Sequence, residues 1–273
     1  MADKTTRGPK AHPLPDARED IRRSLLEEQT PQTLSPTYRL AFDDSDFLTR
    51  EELRPVRLQL ELLKPQLMMD EAGIVSTVVM FGGARIPSPA EKHSARTPAL
   101  GALSHFYEEA REFARLVTLE SKKSGGTENV VVTGGGPGVM EAGNLGAHEA
   151  GGKSIGLNIV LPFEATPNAY VTPEFSFNFH YFAIRKMHFL MRAKAITVFP
   201  GGFGTLDELF EAMTLIQTQR MSPVPILLFG EEFWRSIINW EALEAAGTIG
   251  ADDLGLFRFV ETGEEAAKIV LEA

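Results

Sequence analysis

The stretch AITVFPGGFGTLDELFE, residues 195–211, passes from an apolar run through a glycine loop into a helical pattern. A short run that is apolar throughout marks a strand buried on both faces. The same order recurs upstream. IVSTVVMFG (74–82) runs into Gly82-Gly83, and ENVVVTGGG (128–136) runs into a glycine loop and then a helix over Val139–Ala150. KSIGLNIVL (153–161) and VPILLFG (224–230) read as two further strands. Helices are expected over Pro98–Lys122, Ala183–Ala193, Leu206–Arg220, Glu231–Trp240 and Glu264–Glu272. In the first of these, Thr97 is the expected N-cap and Pro98 the first helical residue, with a buried stripe of Leu103, Phe106, Tyr107, Ala110, Phe113, Ala114 and Val117. Apolar strands that alternate with helices specify an α/β protein with a doubly wound parallel sheet covered on both faces. Such sheets bind ligands at the carboxyl ends of their strands, where the strand order reverses.

Working outward to the N-terminus, residues 1–35 mix charge, proline and Ser/Thr with little periodicity, the pattern of a mobile arm with one short helix near Ile21–Glu28. Residues 36–72 read as a helical extension. Within it Leu53, Val56, Leu60, Leu63 and Leu67 recur at helical spacing, Pro55 is expected to start the helix, and Pro65 to kink or divide it. The main domain is expected over 73–273.

Composition narrows the function. The chain has 273 residues, 43 % of them hydrophobic, and a formal net charge of −10. A protein that binds nucleic acid shows a basic face, and none is legible here. A small phosphate ester remains compatible, since a few backbone N–H groups suffice to hold it. The chain has no cysteine, which excludes disulfides, a cysteine nucleophile, thiolate zinc sites and iron–sulfur clusters. MADKTTRGPKAHPLPDARED places charge and proline where a signal peptide needs an apolar stretch, and no run reaches the length of a membrane span. A cytoplasmic protein without nucleic-acid or membrane partners is expected.

Three strand ends carry glycine: Gly82-Gly83, Gly134-Gly135-Gly136-Pro137-Gly138, and Gly201-Gly202-Phe203-Gly204. A glycine loop that opens a helix offers free N–H groups and the positive end of the helix dipole to a phosphate. The alternative is that glycine merely packs helix on strand. Two familiar signatures fail. G-x-G-x-x-G needs glycine where Val139 or Glu141 stands, and Gly152-Lys153-Ser154 lacks the first P-loop glycine at Ala147 and leads into a strand. Neither a dinucleotide nor ATP is supported.

Arg185 and Glu208 are the candidate catalytic pair, one on the helix before the 195–211 stretch and one just after its glycine loop. Each has a plain alternative. Thr205-Leu206-Asp207-Glu208 fits the capping box S/T-x-x-E, and Arg185 fits a surface ion pair. A carboxylate at a helix N-terminus is also expected to stay ionised. The six histidines show no metal-ligand spacing, so no metal is expected. Lys186 and Lys194 are conceivable Schiff-base lysines, but nothing else builds a pyridoxal phosphate site.

Taken together, the Gly134–Met140 loop, the Arg185-Lys186 pair and the complete PGGxGTxxE motif at Pro200–Glu208 resemble the Lonely Guy (LOG) family. The resemblance covers residues 74–273. Phe182-Ala183-Ile184 stands where the family usually carries Met-His before Arg-Lys, and the N-terminal helical segment is similar to that of longer bacterial members. The resemblance implies a Rossmann-like fold, a homodimer or larger homo-oligomer, no cofactor, and hydrolysis of the base–ribose bond of AMP or cytokinin nucleotides. Some members once carried the label lysine decarboxylase. On this reading the 5′-phosphate sits on N–H groups of Gly201, Gly202, Gly204 and Thr205, with Gly83, Gly135, Gly136, Gly138, Met140 and Lys186 also binding substrate. Cleavage passes through an oxocarbenium-like state, with Glu208 stabilising charge or orienting water and Arg185 positioning substrate and Glu208. The rival expectation is a non-catalytic carrier of a nucleotide or phosphorylated cofactor.

Overall fold

A computed structural model of the protein describes residues 16–162 and 166–273. Residues 1–15 of the expected arm lie outside the described residues. The chain divides into two compact units between Gln59 and Leu60, inside a helix rather than at residue 73.

The first unit contains α1 (Ala17–Ser24), α2 (Ser45–Leu48) and the start of α3 (Arg54–Glu71). The carboxylates of Asp16 and Asp44 cap α1 and α2 by accepting backbone N–H bonds. Asp16 therefore starts α1 ahead of the expected Ile21. The Arg57 guanidinium donates to the Leu48 carbonyl at 2.9 Å and closes the turn before α3. Pro65 neither ends nor divides α3, which runs through it as one helix. Proline removes one hydrogen bond there, and Pro65 is buried.

The second unit is a Rossmann-like α/β fold. Seven strands, β1 (Thr77–Phe81), β2 (Val130–Thr133), β3 (Ser154–Ile159), β4 (Ser176–Phe179), β5 (Ala193–Val198), β6 (Ile226–Phe229) and β7 (Arg258–Val260), form one sheet in the order β4-β3-β2-β1-β5-β6-β7. Every pairing is parallel. In the central strands β1, β2, β5 and β6 alternate side chains enter opposite cores, which is why these strands read as apolar runs. In β1, Val79 and Phe81 join one core, and Val78 and Met80 the other. The first core is completed by α7 (Phe182–Leu190), α8 (Phe203–Gln217), α9 (Glu231–Ile237) and α10 (Trp240–Ala245). The second is completed by α5 (His105–Ser121), α6 (Val139–Glu149) and α11 (Gly263–Glu272).

Two expected helices are each divided. Pro98–Lys122 becomes α4 (Pro98–Ala102) and α5, because Leu103 and Ser104 bond three residues back, to Leu100 and Gly101. Glu231–Trp240 ends at Ile237, and the Asn239 side chain caps a new helix by accepting from the Ala242 N–H at 3.0 Å. Strands β4 and β7 are additions to the expected set. The order reverses between β1 and β5, since β2–β4 extend the sheet one way and β5–β7 the other. Among the described residues, no helix is long and apolar enough to cross a membrane.

Candidate functional site

A cavity of about 540 Å³ lies at the carboxyl ends of the strands. Its volume is that of an ordinary small-molecule site. The loop after β1 lines it with Gly83, the loop after β2 with Gly134 and Gly136, the start of α6 with Met140, the loop after β5 with Gly202, and the start of α8 with Gly204 and Thr205.

Hydrogen bonds tie these loops together. Gly83 N–H donates to the Pro200 carbonyl at 2.9 Å, and the Gly83 carbonyl accepts from Val139 N–H at 3.3 Å. Gly135 (φ +73°) and Gly138 (φ +68°) take the left-handed backbone that the loop after β2 requires. A side chain at Gly135 would also overlap Asn158, and one at Gly138 the Gly83–Ala84 backbone. Gly201 leaves room for the Thr205 side chain. These three glycines shape the loops and do not line the cavity.

Further bonds support the loop after β2. The Asn168 amide donates to the Gly136 carbonyl at 3.0 Å and to Asn144 Oδ1 at 2.9 Å. Its own N–H donates to the Gly135 carbonyl at 2.8 Å. Asn144 in turn accepts from the Thr133 hydroxyl at 2.7 Å and donates to the Ser154 hydroxyl at 3.0 Å.

After β5, α8 begins at Phe203 with Gly202 as its N-cap, and its first intrahelical bond runs from Leu206 N–H to the Gly202 carbonyl at 3.0 Å. The N–H groups of Phe203, Gly204 and Thr205 therefore have no acceptor within the helix. Nothing lies within 4 Å of where a side chain would stand at Gly202 or Gly204. Thr205 is 6 % exposed, and its hydroxyl has no hydrogen-bond partner among the described residues. A bare helix N-terminus with a spare hydroxyl is built to receive an anion.

This start overturns the capping box. Thr205 is the third residue of α8 rather than its N-cap, and Glu208 lies in the second turn, beyond reach of the cap. Glu208 faces the cavity instead, with its side chain 15 % exposed. Nor is it held ionised as expected. Burial raises its carboxyl to about 7 against the opposing charge of Arg185, and Asp207 adds to the rise.

Arg185 is buried, not a surface ion pair: only 8 % of it is exposed. Its Nε donates to the Leu157 carbonyl at 2.6 Å, its Nη1 stands 3.6 Å from Glu208 Oε1, and its guanidinium lies 5.1 Å from the centre of the Phe189 ring. The separation from Glu208 is an ion pair rather than a hydrogen bond. Gly134 makes the arrangement possible, because a Cβ there would stand 2.6 Å from both Arg185 Nη2 and Met140 Sδ.

Glu61 of α3 supports α7 from outside the cavity. Its carboxylate accepts the N–H of His180 at 2.8 Å and of Tyr181 at 3.1 Å, just ahead of the helix. Lys186, one residue past Arg185, points a third of a turn away and contacts Asp207 at 3.1 Å and Glu211 at 2.7 Å. It does not line the cavity, and among the described lining residues there is no lysine. A Schiff-base cofactor therefore finds no partner here.

Comparison with known proteins gives a match over part of the chain. Residues 140–270 match a family model described as "possible lysine decarboxylase". The matched span contains Met140, Arg185 and the Gly201–Glu208 segment, and omits the loops after β1 and β2. Among solved structures, the X-ray structure of TM1055 is similar at 23 % identity and a TM-score of 0.45, covering 72 % of this chain and 99 % of that one. The molybdenum cofactor carrier protein of Chlamydomonas reinhardtii is similar at 18 % identity and a TM-score of 0.45, with the same coverage. No curated protein matches the chain.

Proposed function

We propose that the chain hydrolyses the N-glycosidic bond of nucleoside 5′-monophosphates, releasing free base and ribose 5-phosphate. The observation that carries this reading is the buried Arg185–Glu208 pair, 3.6 Å apart, facing the same cavity as the open N-terminus of α8. The resemblance of Gly134–Met140 and Pro200–Glu208 to the Lonely Guy motifs supports it.

The 5′-phosphate binds the free N–H groups of Gly204 and Thr205 and the Thr205 hydroxyl, with Gly202 leaving the approach open. Arg185 is anchored through Leu157 and Phe189, so its guanidinium is held at the cavity before substrate arrives and positions it without a large ordering cost. The C1′–N bond breaks with its electron pair leaving on the base, and positive charge builds on the ribose. Ionised Glu208 stabilises that charge and takes a proton from the water whose oxygen attacks C1′. Water supplies both the hydroxyl of ribose 5-phosphate and the proton gained by the base. Preorganised charge of this kind lowers the barrier by on the order of 3–4 kcal/mol. Lysine decarboxylation is not supported, because the cavity offers no lysine and Lys186 is engaged by Asp207 and Glu211.

The chain is further proposed to act as a homo-oligomer, and mass measurement with and without residues 1–72 tests the part its N-terminus plays. For the reaction, purified protein is incubated with AMP, other nucleoside monophosphates and isopentenyladenosine monophosphate, and products are separated chromatographically. Free base and ribose 5-phosphate appearing together support hydrolysis. Tight binding of one nucleotide without base release favours a carrier.

A further inference from the structure

Beside the groups assigned to the phosphate and the reacting bond, the cavity is lined by Phe182 of α7, Asn158 of β3 and Asn178 of β4. Phe182 opens α7 three positions before Arg185, which places both on one side of the helix, and both line the cavity. Phe182 is exposed to the solvent that fills this cavity. Asn178 on β4 is the register partner of Asn158 on β3, so the two side chains stand on the same face of the sheet, and both line the cavity. The Asn158 amide is engaged: its Nδ2 donates to the Phe177 carbonyl at 3.0 Å, and its Oδ1 packs against Gly135. The Asn178 side chain is exposed and has no hydrogen-bond partner among the described residues.

We propose that Phe182 and Asn178 form the base subsite and select an aminopurine. The Phe182 ring stacks on the purine, and the Asn178 amide accepts a hydrogen from the exocyclic amine while donating to the adjacent ring nitrogen. An amide fits this task because a single planar group supplies one donor and one acceptor, the pattern that an adenine edge presents in reverse. On the N7 edge hypoxanthine presents two acceptors, O6 and N7, so it loses one of the two bonds. The inference rests on the nucleotide reading above and adds the determinants of base choice.

Binding tests it apart from catalysis. Calorimetric titrations use the Glu208→Gln protein, to suppress turnover, with three probes: AMP, purine riboside 5′-monophosphate, which lacks the amine, and ribose 5-phosphate, which lacks the base. Adding Phe182→Ala is expected to weaken both nucleotides about tenfold and leave ribose 5-phosphate unchanged. Phe182→Tyr, which keeps the ring, is expected to restore them. Adding Asn178→Ala is expected to weaken AMP about fivefold, purine riboside 5′-monophosphate by less because it keeps only the ring-nitrogen bond, and ribose 5-phosphate not at all. Equal losses for all three probes, or none, overturn the subsite. Binding of none of the probes overturns the nucleotide reading as well. If the wild-type protein releases no base while the differential losses hold, the subsite stands and hydrolysis falls.

Discussion

Arg185 and Glu208 face each other across 3.6 Å at a point where only 8 % of the arginine is exposed, yet burial still raises the Glu208 carboxyl to about 7. Desolvation of the glutamate outweighs the charge of Arg185, and the neighbouring carboxylates of Asp207 and Glu211 add to the rise. The pair is therefore poised to change charge near neutrality, as a group engaged in proton transfer should be.

This poise has a signature in activity. In the proposed mechanism ionised Glu208 is the active form, so the rate of base release is expected to rise with pH through about 7. A pH profile of kcat measures it. A profile that falls through that region assigns Glu208 the role of acid rather than of charge stabiliser and base.

The same group links pH to stability. The folded carboxyl titrates near 7 against 4.5 for the free group, so the folded state holds the proton more tightly than the unfolded state. The contribution is fully present below the unfolded value and is lost as pH rises through the folded one. The loss is on the order of 3 kcal/mol. Denaturant unfolding at pH 5 and pH 8 is expected to show a steeper decline for the wild type than for Glu208→Gln. Identical declines contradict the raised carboxyl.

Two glycines are expected to respond oppositely to alanine. Gly204 has a helical position and open space beside it, so Gly204→Ala should fold at least as stably as the wild type, by up to about 1 kcal/mol. The new methyl stands over the α8 N-terminus, and affinity for ribose 5-phosphate is expected to fall at least about tenfold. Gly135→Ala meets Asn158 at a positive φ and is expected to cost about 1–3 kcal/mol of stability. Melting curves and product-inhibition constants separate the two effects.

Glu61 is expected to act at a distance. Glu61→Ala leaves the His180 and Tyr181 N–H groups without their acceptor and frees the start of α7, the helix that carries Phe182 and Arg185. A loss of about 1–3 kcal/mol in stability is expected. Glu61→Gln, which retains one acceptor oxygen, should recover part of it.

Much of this was legible in residues 195–211, because strand, glycine loop and helix are local patterns. The parallel sheet, the glycine edge and the Arg185 and Glu208 candidates all follow from such patterns. What escaped is non-local or marginal. Ser176–Phe179 and Arg258–Val260 are too short to declare themselves strands without the neighbours they pair with. Thr205 resembled an N-cap because S/T-x-x-E is a sequence rule, whereas α8 starts where the Gly202 backbone allows. The resemblance brings Lys186 in with Arg185 as a motif pair, but neighbours on a helix point in different directions. Glu61 and Asn168 act on residues far along the chain, and no local signal marks either one.

The most direct test of the central claim compares base release from AMP and from adenosine by the wild-type protein and by Glu208→Gln. The account predicts that the wild type frees adenine from AMP and not from adenosine, and that Glu208→Gln still binds AMP while turnover falls at least about 100-fold. Equal release from adenosine, or near wild-type turnover by folded Glu208→Gln, would contradict it.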